Sequence, residues 1–115
     1  MERNWTTFDE MVRTMAVNAP HALIADWHMR LDKAITTWFV NSRVKRPGTP
    51  TKVYDVLITH GGLPQDAIDE INQLRRLRNR VVHEEYLPGI EEAETYARSA
   101  WRLAWMVADL PVRMG

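Results

Sequence analysis

The stretch Leu74–Tyr86, LRRLRNRVVHEEY, places two opposed demands on one helix. Its apolar residues recur at helical spacing, so one face has to be buried. The same stretch carries four arginines, an asparagine and a histidine. A guanidinium cannot shed its charge on burial, because its pKa exceeds about 12. On a wheel of roughly 100° per residue, Ala67, Ile71, Leu74, Val81 and Val82 form one apolar arc, and Arg78 falls near its middle. Asn79 and His83, spaced i, i+4, share one flank of that arc. Arg75 lies between arc and flank, while Arg76 and Arg80 point outward.

Arg78 therefore needs a partner, since burying it unpaired costs several kcal/mol. Three arrangements would satisfy it: a buried acid such as Asp32, Asp55 or Glu94, a place across a dimer interface, or a polar cleft that receives an anion. His83 has a plain structural reading as a cap-like residue favoured by the dipole at the end of its helix.

The rest of the chain reads as helix. Its 115 residues suit one domain able to bury a core. The first helix is expected over Trp5–Val17, with Thr6 or Thr7 as cap and Asp9 and Glu10 in its first turn. Asn18 and Pro20 open a long amphipathic helix to Phe39 or Asn41. Leu23, Trp27, Leu31, Ala34 and Trp38 line its apolar stripe, beside Ile24 and Ile35. NSRVKRPGTP is a loop. Thr51 then caps a short helix, Lys52–His60, ended by Gly61 and Gly62. The arginine-bearing helix follows from Pro64 to about Glu85, and Leu87, Pro88 and Gly89 break it. A closing helix runs from Ile90 to about Leu110. Its second half, WRLAWMVADL, is apolar on nearly every side, which points to a face shared with a second copy. No run has convincing strand alternation, so the expected fold is an all-α up-and-down bundle of three long helices and one or two short ones.

Composition narrows the chemistry. Without cysteine there are no disulfides or thiolate metal sites. His21, His28, His60 and His83 occur singly, with no HExxH or ExxH spacing, so no metal and no cofactor is expected. GxGxxG, GxxxxGK[ST] and GxSxG are missing. The opening MERNWTTFDE lacks a signal-peptide apolar run, and the longest apolar stretch, Leu103–Ala108, cannot span a bilayer. A soluble, cytoplasmic protein with no membrane partner is the expectation. Fifteen basic residues balance fifteen acidic ones, so net charge makes no case for nucleic acid. The basic residues nevertheless cluster at Arg75, Arg76, Arg78 and Arg80, a ridge that is either a solvated face or a phosphate-binding one.

Arg78-Asn79-Arg80-Val81-Val82-His83 resembles the R-x4-6-H motif of the HEPN superfamily, which often has a polar residue directly after the arginine. Arg76 also precedes His83 at the longest permitted spacing. Arg78 is the stronger candidate, because Asn follows it and it lies inside the apolar arc. The order of long helix, loop, motif helix and closing helix also resembles that family over most of the chain. The resemblance implies a metal-independent endoribonuclease, often a toxin or phage-defence effector, with its site built across a homodimer. Neutral His83 would take the proton from a ribose 2′-OH or donate one to the leaving 5′-oxygen. Arg78 would hold the scissile phosphate and stabilise the pentavalent transition state. Asn79 would orient either group, and Arg75, Arg76 and Arg80 would guide the RNA backbone. Some toxin members carry, two residues after the histidine, a tyrosine that a nucleotidyltransferase antitoxin modifies. Here Tyr86 stands three residues after His83, a departure that weakens the case for that modification and that partner. Two other readings stay open: a non-catalytic HEPN-like helical dimer that binds a nucleotide, RNA or protein, and an unrelated bundle with Arg78 salt-bridged in its core.

Overall fold

The computed structural model describes residues 5–112, with side chains from Thr7 onward, so the Thr6 cap lies outside the described side chains. Five helices follow one another: α1 (Trp5–Asn18), α2 (Pro20–Ser42), α3 (Pro50–Thr59), α4 (Gln65–His83) and α5 (Ile90–Ala108). There is no strand among the described residues. The chain is an all-α bundle of three long and two short helices, as the periodicity predicts.

Proline fixes two of the helix starts. Pro20 and Pro50 each occupy a first-turn position, where the missing N–H would have no helical partner anyway. The caps are consequently Ala19 and Thr49, neither with a side-chain cap bond and only Thr49 in extended backbone. Asn18 is instead the last residue of α1, and Thr51 lies inside α3. Thr7 is likewise already helical. The end of α2 is made by Arg43 in the left-handed region, φ 57°. Its N–H donates to the Val40 carbonyl, and the Val44 N–H donates to the Phe39 carbonyl, each at 3.1 Å, the paired bonds of a Schellman motif. At the end of α3, Gly62 has φ +77°, and a Cβ on Gly61 would stand 2.7 Å from the Leu57 carbonyl.

α2 and α5 form the central pair, with α1 and α4 each packed against both. α2 supplies Leu23, Ile24, Leu31, Ile35, Trp38 and Phe39 to the core. α5 meets it with Ala93, Ala97 and Ala100 alongside Tyr96 and Leu103, and small residues there permit close approach. α3 is seated by buried Val53 and Leu57. Asp9 pairs with Arg98 at 2.6 Å and Glu70 with Arg102, linking α5 to α1 and α4. These pairs are solvated and contribute at most about 1 kcal/mol each.

The apolar excess of α5 is divided. Val107 is buried, Trp101 stacks on Phe8 at 4.8 Å between ring centres, and Trp105 stays exposed. A groove of about 740 Å³ runs past Phe8, Met11, Trp101, Trp105 and Met106. Among the described residues no helix is long and apolar enough to cross a membrane.

Candidate anion-binding cleft

α4 buries one apolar face along its first half and carries its arginines along its second. Ala67, Ile68, Ile71 and Leu74 are buried, Leu77 and Val81 are partly so, and Val82 departs from the expected arc by being exposed. Where the buried stripe gives out, a cleft of about 350 Å³ opens between α2, α4, the loop before α3 and α3 itself. Ile71 and Leu74 contribute its apolar wall with Leu31, Ile35 and Val53. Arg75, Arg78 and Asn79 enter from α4, His28 and Asp32 from α2, Tyr54 from α3 and Tyr96 from α5.

The loop before α3 is strapped in place by one side chain. Arg46 donates to Asp32 Oδ1 at 2.7 Å and to Thr36 Oγ1 at 2.6 Å. That pair neutralises the one carboxylate lining the cleft. Arg75 donates from Nε and Nη2 to Asn72 Oδ1, at 3.3 and 3.1 Å, a neutral acceptor that leaves its charge uncompensated. Arg78 is half-buried. Among the described residues it makes no ion pair or hydrogen bond, so Asp32, Asp55 and Glu94 do not neutralise it.

The charge of Arg78 is felt by its neighbours. Burial, and then Arg78, holds the half-buried His28 imidazole below its ordinary pKa of 6.5, with Asp32 opposing. Burial pushes the Tyr96 hydroxyl far above its ordinary range, with Arg78 opposing. Both rings are thus neutral polar groups near neutral pH, beside two guanidiniums. Neutral imidazole can accept or donate a proton, which is the property acid–base chemistry needs.

The cleft gathers Arg75, Arg78 and Asn79 and leaves the other sequence candidates outside. His83 is exposed, one turn beyond Asn79 and not part of the cleft wall. Arg76 is exposed. Arg80 sits over the Tyr86 ring, 4.0 Å from its centre. The Tyr86 hydroxyl donates to Glu92 Oε1 at 2.6 Å, and Glu92 also accepts the Gly89 N–H at 3.1 Å. The hydrogen bond to Glu92 raises the Tyr86 pKa, and the same bond lowers that of Glu92. Arg80 and Tyr86 thus help to close the α4–α5 turn. No group of three or more His, Asp or Glu side chains among the described residues is arranged to hold a metal ion.

No family model, curated protein or solved structure matches the chain. Sequence reasoning passed over His28, Tyr54 and Tyr96. For His28 a signal existed: it shares a helical face with Leu31, Asp32 and Ile35, at spacings of three, four and seven.

Proposed function

We propose that the chain is a metal-independent endoribonuclease of HEPN type that works as a homodimer and cleaves RNA through Arg78, Asn79 and His83. The observation that carries this reading is Arg78, half-buried in an open cleft with no acid to neutralise it. A guanidinium held that way is a ready partner for a phosphate oxygen, and its strength there grows as water is excluded. Asn79 lies beside it, and Arg75 adds a second charge along the RNA backbone. His83 belongs to the site through a second copy, whose exposed α4 end would bring the imidazole to the phosphate held by Arg78. Exposed Val82, Leu87 and Ile90 surround His83 in sequence and supply apolar surface for that contact.

The test is cleavage of a structured RNA in excess EDTA. The expected products carry 2′,3′-cyclic phosphate and 5′-hydroxyl ends, and Arg78→Ala and His83→Ala each lower the rate at least ~100-fold with unchanged circular dichroism. Loss of cleavage in EDTA, or full activity in either variant, refutes the reading. The position of His83 outside the cleft of its own chain favours a second reading, a HEPN-like dimer that binds RNA or a nucleotide without cutting. Retained RNA binding by purified protein that leaves the RNA intact would select it. A role as toxin or defence effector predicts that expression in cells arrests growth in the wild-type form and not as Arg78→Ala.

A further inference from the structure

Four ionised side chains line the cleft: Asp32, Arg46, Arg75 and Arg78. Arg46 and Asp32 cancel through their 2.7 Å pair. Two guanidiniums remain, one bonded only to the neutral Asn72 amide and one without a hydrogen bond or ion pair among the described residues. A phosphodiester linkage carries one charge and leaves half of that excess standing. A phosphomonoester carries close to two charges above its second pKa of about 6, and it offers three equivalent oxygens. The cleft is also lined by His28 from α2, among the uncharged polar side chains Asn79, Tyr54 and Tyr96, and has an apolar side that includes Leu31, Ile35 and Val53. Its volume of about 350 Å³ is at the small end of ligand sites, fit for one nucleotide rather than a length of strand.

We propose that this cleft is selective for a phosphomonoester, a mononucleotide or the phosphorylated end of an RNA, with Arg75 and Arg78 matching its two charges and His28 as the third contact. The proposal rests on reading the cleft as a phosphate site, as above, and not on the cleavage chemistry. It adds His28, from α2, to the residues that touch the phosphoryl group. His28 faces Arg78, Asp32 and Tyr96 in the cleft, with Arg46 already committed to Asp32. A phosphate bound among these groups places negative charge beside an imidazole that otherwise meets mainly positive charge. Binding is therefore coupled to proton uptake by His28.

The full-length chain is titrated at about pH 7.5, where the monoester is doubly charged, while the histidine ring protons are followed by NMR. The probes are inorganic phosphate, adenosine 3′-monophosphate, dimethyl phosphate, and one RNA oligonucleotide with either a 3′-phosphate or a 3′-hydroxyl. The monoesters should bind at least ~10-fold tighter than the diester, as one lost charge-assisted contact implies. The His28 midpoint should move upward on saturation. Arg75→Gln and Arg78→Gln should each erase the preference for monoester over diester. His28→Gln should keep binding but remove the proton uptake. Tighter binding of the 3′-phosphorylated RNA than of adenosine 3′-monophosphate identifies an RNA end as the source, and equal binding identifies a free nucleotide. Equal affinity for diester and monoester, or a His28 resonance unmoved at saturation, overturns the proposal. RNA cleavage without monoester preference sinks this inference alone, and monoester binding without cleavage sinks only the nuclease.

Discussion

Among the described residues Arg78 has no carboxylate partner to strand, so its removal exposes the difference between a structural and a functional arginine. Breaking a buried ion pair destabilises a protein by about 3–5 kcal/mol. Here Arg78→Ala should change unfolding free energy by less than about 1 kcal/mol in urea titrations, because only the packing of its stem is lost. A loss of the larger size would mean that an acid neutralises it after all. His28 makes a second prediction. Its pKa is lower folded than unfolded, so the unfolded chain binds the proton first as pH falls. Stability therefore declines as pH drops below about 6.5 and levels off once the folded imidazole is also protonated. His28→Gln should flatten that part of a pH series of thermal midpoints. These two residues also mark what the wheel of one helix can and cannot reveal. A charge in an apolar arc is visible from α4 alone, so Arg78 was legible. His28 matters only because the loop before α3, tied down by Arg46, closes a wall opposite it. That closure is a long-range contact with no local pattern in the sequence.

At the level of elements, the helices were legible and their caps were less so. Asn18 and Thr51 have good capping side chains, yet Pro20 and Pro50 set the register and moved both caps one or two residues away. A proline in the first turn fixes φ near −65° and loses no helical bond, whereas a side-chain cap contributes typically about 1 kcal/mol. The end of α2 is the opposite case, a position where the sequence lacks the residue that the backbone favours. Arg43 takes φ 57° in a Schellman motif usually completed by glycine. Arg43→Gly should raise stability by about 0.5–1 kcal/mol, after the extra freedom of glycine in the unfolded chain offsets part of the relief. Chemical denaturation checks it. A neutral or negative change would mean that the Arg43 side chain makes a contact that compensates the strained backbone.

The molecule measures 45 × 40 × 21 Å, about two helix diameters thick, so each layer has one face toward solvent. Apolar side chains are left exposed in two places along the chain. The groove past Trp101 and Trp105 was foreseen from the all-round apolar pattern of α5. The exposure of Val82, Leu87 and Ile90 about the α4–α5 turn was not, because Val82 falls within the apolar arc of the wheel. For the proposed nuclease the two places have different consequences. The groove involves α1, α2 and α5, whereas His83 is at the end of α4, near Val82, Leu87 and Ile90 in sequence. If two copies meet through Val82, Leu87 and Ile90, each site takes Arg78 from one chain and His83 from its partner. Arg78→Ala and His83→Ala proteins, each inactive alone, should then regain cleavage when unfolded together and refolded. Random pairing makes half of the dimers mixed, and each mixed dimer rebuilds one of its two sites, so recovery should approach about a quarter of wild-type activity. Adding Leu87→Asp to both chains should abolish the recovery and the dimer band in sedimentation, while Trp105→Asp should leave both. No recovery from a mixture shown by sedimentation to contain dimers would exclude a site shared between chains. The imidazole of the reaction would then have to come from within one cleft, where His28 is the histidine that lines it.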